Sequence, residues 1–221
     1  MKETTLNRIC SMLIRNVIMM SIFLHPYPAK ADAYDELLSA VKSEDVAAAE
    51  ALFARGMDVN TTDARGNSLL MLSVKAEHTE MAELLLRRHA NPDARNQYGE
   101  TALMLAAANG SLGLVKLLIR HGAKINLAGW NPLIYAAWQG KTEVVAYLLS
   151  QGADIDAVAP NGTSALMMAA RSGHFDTVRL LLWEVADPNL KTDSGGTALG
   201  WAIKEGNTEI ADLLRQAGAK E

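Results

Sequence analysis

The sequence predicts an all-α solenoid of about six stacked helix pairs with β-turn fingers, and three observations lead to it. A Gly-x-[Ser/Thr/Asn]-x-Leu element recurs as Gly66-Asn67-Ser68-Leu69-Leu70, Gly99-Glu100-Thr101-Ala102-Leu103, Gly129-Trp130-Asn131-Pro132-Leu133, Gly162-Thr163-Ser164-Ala165-Leu166 and Gly195-Gly196-Thr197-Ala198-Leu199. Its closing leucines stand 33, 30, 33 and 33 residues apart. Each element opens a short apolar, often Ala-rich helix, and a glycine break at Gly110, Gly140, Gly173 or Gly206 leads to a second helix such as Leu114-Val115-Lys116-Leu117-Leu118. A fixed period of this length marks a repeat architecture, in which each unit covers its apolar face only by stacking on the next.

Taken in order, residues 1–31 differ in kind from the rest. Lys2, Arg8 and Arg15 precede an uncharged apolar run, Val17 to Leu24, and Ala29-Lys30-Ala31 is a small-x-small site. That is the layout of a secretory signal peptide, with cleavage expected after Ala31 or, through Ala31-Asp32-Ala33, two residues later. An eight-residue run is far too short for a permanent bilayer span, which takes about 20 residues. The expected location is the periplasm of a Gram-negative cell.

Residues 32–62 read as an N-terminal capping repeat, a helix pair without a leading turn. Repeats follow at 63–95, 96–128, 129–158 and 159–191, with a C-terminal capping repeat at 192–221 whose second helix carries Glu209, Asp212 and Gln216. The Ser or Thr before each apolar pair can accept a hydrogen bond from the free amides of the first helical turn. Gly122, Gly152 and Gly218 suit the left-handed conformation that ends a helix. Asn126 to Gly129 spans three residues where Asp93 to Gly99 spans six, so the finger before residue 129 is shortened.

This pattern resembles the ankyrin repeat from about Tyr34 to Ala219. The family's Thr-Pro-Leu-His tetrapeptide is never intact: Met71, Met104, Ile134, Met167 and Gly200 stand at its histidine. His89 and Val185 replace the helix-ending glycine, and a β-branched residue is strained at positive φ, so a local irregularity is expected after Trp183.

Chemistry is not signalled. Removing residues 1–31 leaves 17 basic and 24 acidic residues, a net charge of −7, without the basic footprint of a nucleic-acid binder. The single cysteine, Cys10, lies in the leader, so no disulfide or thiol site is expected. His78 and His174 share a repeat position, which explains them better than a site does, and His89 and His121 could make at most an adventitious metal contact. Gly162-Thr163-Ser164 lacks the second glycine and the preceding strand of a nucleophile elbow. The expectation is no enzyme, no cofactor, no metal, no nucleic acid, no stable membrane insertion once the leader is gone, and a monomer.

Resemblance to the family instead implies a protein partner on the concave face of finger tips and first helices. Position by position it nominates Arg65, Asn67 and Lys75; Tyr98, Glu100 and Asn109; Trp130, Trp138 and Gln139; Asn161, Thr163 and Arg171; and Lys204. Binding hot spots favour Trp, Tyr and Arg, which draws attention to Trp130 and Trp138 beside Tyr98. The alternative is that Trp130 fills the gap left by the missing loop and Trp138 packs along its helix. Tyr135 and Trp201, in register with Leu72, Leu105 and Met168, are expected in the core. The implied function is an exported, non-catalytic binding module for a secreted or envelope protein, as accessory, inhibitor or immunity-type partner. A secreted effector that binds host proteins, or a structural part of an envelope assembly, are the alternatives.

Overall fold

The computed structural model describes residues 30–220. The leader expected at 1–31 lies almost wholly outside them, apart from its last two residues. The chain divides into two compact units, residues 1–37 and 38–221. Helix α1 (Lys30–Lys42) spans the boundary, and the Ala31–Asp32 bond falls in its first turn.

Beyond it, α2 (Val46–Ala54) is followed by five hairpins of helices: α3 (Leu69–Lys75) with α4 (Thr79–Arg87), α5 (Ala102–Asn109) with α6 (Leu112–Arg120), and α7 (Pro132–Trp138) with α8 (Thr142–Ser150). The last two are α9 (Ala165–Arg171) with α10 (Phe175–Trp183), and α11 (Ala198–Lys204) with α12 (Thr208–Gln216). The first helices of successive repeats pack in one layer, α3 on α5, α5 on α7, α7 on α9 and α9 on α11. The second helices pack in another, from α2 on α4 through α10 on α12.

Local chemistry starts every inner helix in the same way. Side-chain oxygens of Ser68, Thr101, Asn131, Ser164 and Thr197 accept from the amides three residues on, at 3.0–3.3 Å. The inner helices are short and carry small side chains on their buried faces, Ala106 and Ala107, Ala136 and Ala137, Ala169 and Ala170. Small side chains let the backbones approach, while Leu70, Leu103, Leu133, Leu166 and Leu199 fill the core beneath them.

Register between repeats is set by one recurrent bond. Oδ1 of Asn60, Asp93, Asn126, Asp156 and Asn189 accepts from the backbone N–H of Asn91, Lys124, Asp154, Asp187 and Lys220 in the next repeat, each at 2.9 Å. Asn126 keeps this role although its finger is short, and its Nδ2 also donates to the Gly152 carbonyl at 2.8 Å.

Val185 corrects an expectation. It adopts φ +68°, the left-handed conformation, without disturbing the helix end. Its N–H donates to Leu182 and that of Ala186 to Leu181. Gly122 and Ala123 make the same pair of bonds after α6. The shared hydrogen bonds outweigh the strain, so no irregularity follows Trp183.

Candidate functional site

Four fingers close on themselves through a tight turn, led by Asp63, Asn96 and Thr192, whose side-chain oxygens also accept from the backbone four residues on, and by Ala159, which has none. N–H groups of Asp63, Asn96, Ala159 and Thr192 donate to the carbonyls of Asn67, Glu100, Thr163 and Gly196 at 2.9–3.1 Å. Neighbouring full-length fingers also join: the Gln97 N–H donates to the Arg65 carbonyl at 3.3 Å, and that of Asp193 to Asn161 at 3.1 Å. The shortened finger around Gly129 makes neither kind of backbone bond among the described residues. In the fourth finger the position matching Gln97 and Asp193 is Pro160, which has no N–H to offer. The finger array is therefore interrupted where Gly129 lies, and the sequence leaves no orphan donor on that edge.

Two groups of side chains flank this interruption. On one side a polar network begins at Asp63, whose carboxylate accepts from the Asn67 N–H and Nδ2 and from the Arg65 N–H at 2.8–2.9 Å. Burial pushes the Asp63 carboxyl up, but these bonds and the Lys75 charge together outweigh it and hold the pKa below its ordinary value. Asn67 Oδ1 accepts from Lys75 Nζ at 3.1 Å and from Asn96 Nδ2 at 3.0 Å. Asn96 Nδ2 donates on to Glu100 at 2.8 Å, and the Tyr135 hydroxyl donates to the other Glu100 oxygen at 3.3 Å.

On the other side Tyr135 joins the two tryptophans. Its ring meets Trp130 edge to face, centroids 6.1 Å apart at 78°, and Trp138 at 6.3 Å and 63°. Such geometries suit the ring quadrupoles. Burial, then the Glu100 charge and hydrogen bond, push the Tyr135 phenol up to about 12. Trp138 ends α7 and is held from behind: His174 Nε2–H donates to its carbonyl at 2.9 Å. Gly140 lies against that imidazole, and a Cβ there would come within 2.5 Å of Nδ1.

The residues nominated from sequence separate into three fates. Asn67 and Thr163, expected on the binding face, are corrected to buried positions, 3% and 1% exposed. Asn67 ties two fingers together, while the Thr163 hydroxyl has no hydrogen-bond partner among the described residues. Lys75, Glu100, Trp130 and Trp138 fall in the network or the aromatic group. Arg65, Tyr98, Asn109, Gln139, Asn161, Arg171 and Lys204 are exposed. Of these, Tyr98 (72% exposed) touches no other ring among the described residues, and Arg171 lies over Trp201 instead. Trp130 is half-buried against Tyr135, as its packing reading expects, whereas Trp138 stays open while its ring meets Tyr135 edge to face. Tyr135 and Trp201 are likewise corrected from core to half-exposed: Leu72, at the same repeat position, is half-exposed too, so this register lies at the rim of the core, where Leu105 and Met168 alone are covered.

Asp63, Asn96 and Tyr135 are the site residues that sequence reasoning did not nominate. The Asx three residues before the finger glycine, in Asp63 and Asn96, was a readable turn signal. Nothing in the sequence marked Tyr135. No group of three or more His, Cys, Asp or Glu lies together among the described residues. No described helix is long and apolar enough to cross a membrane.

A family model of ankyrin repeats in three copies matches residues 37–128, 70–159 and 133–221. The chain belongs to the ankyrin-repeat family. An ankyrin-repeat domain of Acinetobacter baumannii AYE, solved by crystallography, is 30% identical, with a TM-score of 0.72, covering 83% of this chain and 98% of that one. No curated protein matches the sequence. Ankyrin repeats generally mediate protein–protein interaction, typically without catalysis. In this ankyrin chain the finger row breaks beside Trp130, Tyr135 and Trp138.

Proposed function

We propose that this chain is an exported, non-catalytic binding module that grips a secreted or envelope protein at the break in its finger row, as accessory, inhibitor or immunity-type partner. The observation that carries the reading is the joined aromatic group beside the shortened finger, with Trp138 still 42% exposed. Large amphipathic rings held rigid at the centre of a face are what binding hot spots are made of. The signal-like layout of residues 1–31 supports export.

Affinity capture tests the reading on the mature chain in periplasmic extract of the source cell. A partner should be recovered by the native chain and lost with Trp130→Ala/Trp138→Ala, and N-terminal sequencing should begin at or near Asp32. Equal recovery by the double variant defeats the binding site. An intact residue 1–31 segment on the native protein defeats export.

A further inference from the structure

The aromatic group beside the shortened finger differs from most other rings among the described residues in having no cation over it. Four other rings lie under a basic side chain from the same chain: Phe53 under Arg88, Tyr147 under Lys116, Trp201 under Arg171 and Phe175 under Arg179, at 5.3–5.9 Å from the ring centroids. Trp130, Tyr135 and Trp138 have none among the described residues. A carboxylate, Glu100, stands at their edge instead and forms no ion pair among the described residues. Tyr98 and Trp183 also lack a cation, but neither meets a second ring among the described residues.

The repeat offers an internal comparison. Trp201 on α11 occupies the position of Tyr135 on α7. Its cation, Arg171, comes from the last turn of the preceding inner helix, 5.4 Å over the ring, and pairs with Glu205 at 3.7 Å. The residue matching Arg171 before Tyr135 is Ala108. A filled cation–ring–carboxylate trio thus exists at one end of the row. Two repeats earlier the ring position is kept by Tyr135, the cation's place holds the methyl group of Ala108 and the place of Glu205 holds Gln139; Trp130 and Trp138 stand where the last repeat has Gly196 and Lys204, and the carboxylate, Glu100, comes from the preceding finger.

We propose that the Trp130–Tyr135–Trp138 group with Glu100 receives an arginine side chain of the partner protein. The guanidinium lies against the ring faces, where the quadrupole attracts it, and the Glu100 carboxylate neutralises it. The inference rests on the binding reading above and names the chemistry of its anchor.

The probe is an acetyl-Gly-Arg-Gly-amide peptide, with the uncharged citrulline analogue as control, titrated into the 15N-labelled full-length chain. The four indole N–H signals are the readout. The Trp130 and Trp138 signals should shift saturably with the arginine peptide and at least about tenfold more weakly with citrulline. Glu100→Gln should weaken the response and flatten its salt dependence. Ala108→Arg, which supplies the missing cation in cis, should abolish it while the Trp201 signal, the folding control, stays in place. Equal shifts with both peptides, no shift at either tryptophan, or an unchanged response in Ala108→Arg would overturn the proposal. If partner capture survives Glu100→Gln and Ala108→Arg yet fails in the double tryptophan variant, the binding reading stands and the arginine anchor falls.

Discussion

Val185 carries a left-handed backbone with 81% of its surface in solvent, so no burial offsets the clash of its branched Cβ. Val185→Gly should therefore stabilise the chain by about 0.5–1 kcal/mol, the left-handed cost less the extra entropy of glycine in the unfolded state. Gly140, at φ +63° with the His174 ring against it, is the opposite case. Gly140→Ala should cost more than about 1 kcal/mol and release His174 from the Trp138 carbonyl. Denaturant midpoints of the two variants, moving in opposite directions, check both. Tyr135 makes a pH prediction with a definite sign. Its folded pKa is raised to about 12 while an unfolded tyrosine titrates near 10. Above pH ~10 the unfolded chain sheds a proton that the folded one keeps, so this contribution to stability falls until the folded pKa is passed. Tyr135→Phe should show a shallower alkaline loss of stability, and phenolate absorbance should lose a tyrosine that titrates near pH 12. An unchanged late titration would place that proton elsewhere.

At the scale of elements, the repeat separates what holds the stack from what decorates it. Asn126 bonds forward through both side-chain atoms, and Asn126→Ala should cost about 1–2 kcal/mol with loss of hydrogen-exchange protection at the Asp154 amide. Three residues inserted after Leu127 leave these bonds alone. They should preserve thermal stability, let the lengthened finger close on itself and join the Tyr98 finger, although Pro160 still offers no N–H on the other side, and abolish partner binding; binding at full strength with a full-length finger would show that the shortening plays no part. The five inner helices were legible because their starts are local: the capping oxygen and the amide it receives lie three residues apart in the sequence. The break was legible as a missing three residues. Its consequences were not, since Pro160 becomes meaningful only when a stacked neighbour fails to arrive. Tyr135 was read as core from its register with Leu72, Leu105 and Met168, but that position lies at the core's rim, where Leu72 is half-exposed as well. Asn67 was misread for the reverse reason: an exposed family position became buried here once Asp63, Lys75 and Asn96 converged on it.

At the scale of the whole molecule, a row of near-identical units supplies stability by nearest-neighbour packing, which leaves surface residues free to vary. Function then has to be sought where the row departs from itself, and the largest departure in its spacing is the 30-residue step between Leu103 and Leu133. Around it lie an unjoined finger, three linked rings and a carboxylate, Glu100, with no ion pair among the described residues. With a net charge of −4 over the full chain, basic partner surfaces are favoured in encounter, and association should slow as salt rises. The most direct test of the central claim is the affinity of the purified partner for the native chain and for Trp138→Ala, measured by titration calorimetry beside Lys204→Ala, a control at the far end of the inner row. The site at the shortened finger requires a loss of at least about thirtyfold, roughly 2 kcal/mol, for Trp138→Ala and little change for Lys204→Ala. Undiminished affinity in Trp138→Ala, with the loss appearing at Lys204 instead, would contradict it.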